Sequence, residues 1–183
     1  MNFPPPKPRA WCFDMENPMR DIRIEKITLN VGVGEPGEKL EKISKLLAQI
    51  SGSKPVNTTT KRRIPEWNIR PGLQIGTKVT LRKSKAEETL KRLFTAVENK
   101  VKSSAFDKNG NLSFGISEYV HIPGAKYDYT VGIVGLSVAV TLSRRGFGIA
   151  RKRSGNKIGK NHLITPQEAM DFLRGKYNVK IED

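Results

Sequence analysis

The chain has 183 residues, with 33 Lys and Arg against 18 Asp and Glu and a formal net charge of +15. Self-repulsion of that size is relieved by a polyanion, so nucleic acid leads the candidate partners and an anionic membrane follows. The membrane is set aside because the longest apolar runs, such as Val131–Val140, are short and broken by glycine, and because no helical pattern opposes a cationic face to an aromatic one.

Length predicts one domain with a true core. Cys12 is the single cysteine, so a disulfide framework and a cysteine zinc site are excluded and a reducing, cytoplasmic setting is expected. Residues 1–16 contain Pro4-Pro5-Pro6 and no continuous apolar segment; they read as an extended arm rather than a signal peptide, with Met15 a possible alternative start. The domain is expected over 17–183.

Residues 22–34 alternate as a strand whose phase flips at Glu25-Lys26, which predicts a bulge. Ile27, Leu29, Val31 and Val33 form one face; Thr28, Asn30, Gly32 and Gly34 form the other. A helix is expected from about Pro36 to Ile50 on the spacing of Leu40, Ile43, Leu46, Leu47 and Ile50, ending at Gly52.

The stretch 54–83 then carries eight basic residues against one acid, Glu66. Its β-branched runs at 56–60 and 75–81 predict a hairpin with Pro65, Trp67 and Pro71-Gly72 at the tip. In the second strand Leu73, Ile75, Val79 and Leu81 face inward, leaving Lys78, Thr80 and Arg82 outward. A basic hairpin with a terminal aromatic suits phosphate contact and base stacking. A plain edge hairpin guarded by lysines is the alternative.

A second helix is expected from Ser84, with Glu87 completing a capping box and Leu90, Leu93, Phe94, Val97 and Val101 forming its stripe. Asp107–Gly110 reads as a turn; 112–117 and 136–143 alternate as strands with Ser, Gly, Ala and Thr on one face. Segment 144–162 holds seven basic residues (Arg144, Arg145, Arg151, Lys152, Arg153, Lys157 and Lys160), four glycines and no acid. It is expected to take its shape on a nucleic acid. Thr165-Pro166-Gln167-Glu168 predicts a capped third helix, with Ala169, Met170, Phe172 and Leu173 running to Gly175.

The predicted fold is α+β: an antiparallel sheet with helices packed on one face, an open face for RNA, and basic loop extensions. Gly32-Val-Gly34-Glu-Pro-Gly37 also satisfies a dinucleotide fingerprint, so a small NADP-binding enzyme is one rival reading. A generic structured-RNA module is another. His121 and His162 have no ligand cluster at metal spacing, no nucleophile is visibly paired with a base, and neither cofactor nor metal is expected. Tyr119, Tyr127 and Tyr129 could stack on bases, although loop packing suits them better.

Five blocks in order, TLNVGVGE (28–35), ISGSKPV (50–56), RPGLQIGTKVTLR (70–82), FDKNGNLSFGISEYVHIPGAKYDY (106–129) and GLSVAVTL (135–142), resemble the ribosomal protein L5 family of the large subunit. The basic segment 144–162 and the capped terminal helix resemble its archaeal form, or the eukaryotic equivalent called L11, rather than the bacterial one. The resemblance implies a non-enzymatic protein that binds 5S rRNA in the central protuberance and also meets 23S rRNA, P-site tRNA and neighbouring ribosomal proteins. Carried onto this chain, 5S rRNA contacts fall on Asn30, Gly32, Ser53, Lys54, Lys78, Thr80 and Arg82. Ser53 stands where bacterial members commonly have glutamine. The tRNA-contact loop falls on Lys61, Arg62, Arg63, Ile64, Pro65, Trp67 and Arg70, and the basic residues of 144–162 are further rRNA contacts. Residues 1–16 are given no role.

Overall fold

A computed structural model describes residues 17–125, 127–129, 131–153 and 155–182; the proline-containing arm at 1–16 lies outside the described residues. Ten elements follow in chain order: β1 (Arg23–Gly32), α1 (Glu38–Ser51), β2 (Val56–Thr59), β3 (Gln74–Leu81), α2 (Lys83–Ala96), β4 (Lys100–Lys102), β5 (Leu112–Ile116), β6 (Leu136–Ser143), α3 (Pro166–Tyr177) and β7 (Lys180–Glu182). β1 lies at the centre of a five-stranded sheet of order β2-β3-β1-β6-β5, antiparallel throughout.

The two-residue alternation seen in the sequence sorts the strands' faces. Ile27, Leu29, Val31, Val79, Leu81, Leu112, Val138 and Val140 point inward and join one cluster with Leu47, Leu90, Leu93, Phe94, Ala169 and Leu173 from the three helices. Leu and Ile side chains buried to this degree contribute roughly 1.5–3 kcal/mol each, so the helices fix which face stays open. Phe114 stacks on Phe94 with ring centroids 5.6 Å apart, tying the edge strand β5 to α2. The phase flip is a register shift between Ile24 and Lys26, leaving Glu25 without a register partner.

Boundaries differ from expectation where backbone geometry overrules pattern. α1 begins at Glu38 rather than near Pro36, because Gly37 occupies φ 136°, a conformation open to glycine. The expected Ser84–Glu87 capping box does not form: the N-cap is Arg82 and Lys83 already has φ 57°, so Ser84 lies inside the first turn. The second box is present in full, with Thr165 accepting from the Glu168 amide and Glu168 accepting from the Thr165 amide. α3 passes through Gly175 and ends at Asn178, which takes the left-handed cap.

Val97 and Val101 do not extend the α2 stripe. Glu98 and Asn99 both adopt left-handed φ, which stops the helix, and Val101 enters β4. β4 pairs in parallel with β7, the end of the chain, through Val101 and Ile181. The sequence pattern predicts neither strand of this small second sheet. Three-residue strands carry too little alternation to be recognised alone.

Candidate nucleic-acid interface

Antiparallel register assembles the open face row by row. One row runs Gly115, Ser137, Asn30, Lys78 and Val56 across all five strands. The next runs Ser113, Ala139, Thr28 and Thr80. Thr28, Asn30, Ser113, Gly115, Ser137 and Ala139 border a shallow depression of about 440 Å³. At ~4.8 Å between strands, a five-strand row is roughly 19 Å wide. Such a surface can meet several nucleotides but does not enclose a small molecule.

Small residues make close approach possible. Gly32 and Gly76 are register partners at the end of this face. A Cβ on Gly76 would lie 2.8 Å from Thr58 Oγ1 and 3.0 Å from the Val31 carbonyl, so the position demands glycine. Asn30, Gly32, Lys78, Thr80 and Arg82 are all exposed on this side, as their alternation predicts.

Ser53 and Lys54 occupy the corner between α1 and β2. Ser51 Oγ donates to the Leu47 carbonyl at 2.6 Å and accepts from the Ser53 amide at 3.3 Å. The last turn of α1 contains no basic residue; α2 supplies the donors, with Arg92 bonding to the Ile50 carbonyl and Lys85 to that of Gly52. Continuing the Val56–Lys78 register by two residues brings Lys54 level with Thr80. Lys54 is exposed and Ser53 half-buried there.

The hairpin tip is a separate structure. Ile64 and Ile69 exchange backbone hydrogen bonds of 3.0 Å, a 3-10 turn over Pro65–Trp67 fills the end, and Thr60 Oγ1 bonds to the Arg70 and Leu73 carbonyls. Lys61, Arg62, Arg63, Pro65, Trp67 and Arg70 remain exposed, with Trp67 at 68%. Ile64 is half-buried and Ile69 anchors the turn from inside. β3 separates this tip from Arg82: Gln74 to Leu81 spans seven steps of ~3.4 Å, roughly 24 Å.

Segment 144–162 leaves β6 at the Arg82 end, since Ser143 pairs with Arg23. It is tied down more firmly than its glycines suggest. Arg144 is 4% exposed; its Nε donates to the Arg20 carbonyl at 3.0 Å and Nη1 to the His162 and Leu163 carbonyls, while Nη2 meets Glu168 at 2.9 Å. Its donors are spent inside the protein, which argues against the rRNA contact expected of it. Phe147 meets His162 edge-on at 5.6 Å, and His162 Nε2 lies 2.9 Å from the Arg145 carbonyl. Arg145, Arg151, Lys152, Arg153, Lys157 and Lys160 are exposed.

Glu25 is the feature that sequence reasoning missed. It bonds to Arg151 from the basic segment and sits 3.6 Å from Arg82. The Arg151 hydrogen bond holds its carboxyl below the ordinary value; burial opposes this, and the charges of Arg151, Arg82 and Lys26 reinforce it. The only sequence signal was the phase flip.

Tyr119 is buried and its hydroxyl accepts from the Asp128 amide at 3.0 Å, so it packs the loop, whereas Tyr127 and Tyr129 are exposed. The glycine fingerprint is a turn: the Val33 and Gly34 amides both bond to the Ile75 carbonyl. Glu38 and Glu41 occupy the first turn of α1, opposing a pyrophosphate there. β1 is flanked by antiparallel strands rather than by a parallel crossover partner. Both facts disfavour the dinucleotide reading. Among the described residues no cluster of three His, Cys, Asp or Glu could hold a metal, and no helix is long and apolar enough to cross a membrane.

A helix-backed antiparallel sheet with a small-residue polar face and cationic extensions defines a protein of the α+β class whose open face suits a polyanion. Comparison with known proteins specifies it further. Residues 17–70 match the family model described as ribosomal protein L5, and residues 74–172 match that of the ribosomal L5P family C-terminus. The chain therefore belongs to the ribosomal protein L5 family, whose members are structural, non-enzymatic ribosomal components. It is 51% identical to the large ribosomal subunit protein uL5 of Sulfurisphaera tokodaii over 90% of this chain and 94% of that one. The uL5 protein of Nanoarchaeum equitans is 49% identical over 91% and 99%, and that of Methanococcus aeolicus 43% over 100% and 99%. The archaeal character suggested by segment 144–162 and the capped terminal helix agrees with these relatives.

Proposed function

We propose that this protein binds 5S rRNA through the open sheet face and helps seat it in the large ribosomal subunit. The observation that carries the reading is the shared row of Asn30 and Lys78, continued by Thr80 and Arg82 on the same exposed face. Amide and hydroxyl groups there suit ribose 2′-hydroxyls and the cations suit phosphates, a chemistry of backbone and shape recognition. The helices hold this face rigid, so little ordering cost is met on binding.

The hairpin tip, roughly 24 Å away along β3, is the second contact, directed at P-site tRNA through Arg62, Arg63 and Trp67. The exposed cations of 144–162 meet further rRNA, including 23S rRNA, and neighbouring ribosomal proteins complete the surroundings. The relatives' place in the large ribosomal subunit and the sequence blocks shared with the family support this division.

Arg82→Ala tests the face assignment in a gel-shift titration with 5S rRNA. Loss of a charged hydrogen bond of roughly 1.5–3 kcal/mol predicts at least about a tenfold weaker complex. Unchanged affinity removes Arg82 from the interface.

A further inference from the structure

The five strands of the main sheet contain one acidic residue, Glu25, in a protein of net charge +15. It stands at the bulge, half-buried, beside two exposed arginines from distant parts of the chain. On a face meant for phosphates an acid costs repulsion, so its position calls for a compensating role.

We infer that Glu25 is a positioning residue that sets Arg82 and Arg151 as a fixed pair of guanidiniums for neighbouring phosphates of a structured RNA. Without the carboxylate the two cations repel, and each long side chain samples many rotamers. With it, one fork edge of Arg151 is engaged and Arg82 is held within 3.6 Å, while more than half of each arginine side chain still faces solvent. The remaining N–H groups stay available for phosphate oxygens, whose geometry a guanidinium fork matches. The bulge is essential to the arrangement: it places an extra residue in β1 and re-aims its side chain.

The same contact ties the middle of segment 144–162 to the central strand, while Arg144 pins its base. Spacing between the two arginines is therefore set by folding before RNA arrives. A preset spacing favours one arrangement of phosphates over others, which makes Glu25 a determinant of specificity rather than of bulk affinity.

This inference rests on the 5S rRNA reading above. The test uses the full chain and measures the ratio of dissociation constants for an unrelated duplex RNA and for 5S rRNA, at one salt concentration. Glu25→Gln removes a negative charge, so simple electrostatics strengthens binding to both RNAs alike and leaves the ratio unchanged. The positioning role instead predicts that the ratio falls about tenfold, with duplex binding equal or tighter. Arg151→Ala is expected to lower the ratio as well, and Glu25→Gln added to Arg151→Ala to lower it little further.

An unchanged ratio in Glu25→Gln, or independent multiplication of the two effects, overturns the inference. Should Glu25→Gln fail to fold, Arg151→Ala, which alters a mostly exposed side chain, decides alone: an unchanged ratio there overturns it. If the wild-type protein shows no preference for 5S rRNA, the failure lies with the binding reading itself.

Discussion

Replacing Arg144 with methionine separates a buried structural cation from the surface cations around it. The wild-type side chain makes bonds of 3.0, 3.3 and 3.1 Å to three carbonyls and one of 2.9 Å to Glu168. Breaking a buried ion pair by removing one partner costs roughly 3–5 kcal/mol. The side chain of Glu168 is 41% exposed and regains water, so the lower end applies, about 3 kcal/mol. For a chain of this size that lowers the melting temperature by about 6–12 °C.

Urea and thermal unfolding measure the loss, and 5S rRNA titration below the transition reports binding. The expected result is a large stability loss with affinity changed less than about threefold, since no charged contact to RNA is removed. A melting temperature within about 2 °C of wild type, together with weakened RNA binding, would refute the structural role. The pH dependence supplies a sign. The Thr165 amide bond is the main cause that holds the Glu168 carboxyl below its ordinary value of 4.5; burial opposes it and Arg144 contributes further. Its folded pKa is depressed, so the associated stability is present above about 4.5 and is lost as pH falls through the folded value. The gap between wild type and Arg144→Met therefore narrows on acidification below that point.

Gly76→Ala places a methyl group against Thr58 Oγ1 and the Val31 carbonyl, and overpacking of this kind costs about 1–3 kcal/mol; denaturant midpoints measure it. A combined substitution of Arg62, Arg63 and Trp67 is expected to leave isolated 5S rRNA binding nearly intact while disturbing tRNA placement in assembled ribosomes. Chemical probing of the bound tRNA checks this, and loss of 5S binding would show that the tip and the sheet face share one ligand.

What the sequence disclosed and what it hid follow from the range of the interactions. Alternation along β1, β3, β5 and β6 is local, so the sides taken by Asn30, Thr80 and Arg82 were readable before any fold was known. The phase flip at Glu25-Lys26 announced the bulge, and Thr165 with Glu168 announced the helix start. Ser84 and Glu87 had the same local form but failed, because the backbone turns at Lys83 rather than at Ser84. Arg144 looked like any other cation in a basic run; its burial depends on carbonyls as far away as Arg20, 124 positions earlier. Glu25 and Arg151 are 126 positions apart, and nothing in either neighbourhood signals their contact. β4 and β7 likewise meet only through tertiary structure.

The open face is proposed to recognise one structured RNA rather than polyanions in general. A competition gel shift tests it most directly: labelled 5S rRNA is held with the full chain at moderate salt while unlabelled unrelated duplex RNA is added in large excess. The 5S complex is expected to persist, and unlabelled 5S rRNA to displace the label. Displacement by the unrelated duplex at equal concentration would contradict it, leaving the +15 charge as the whole of the attraction.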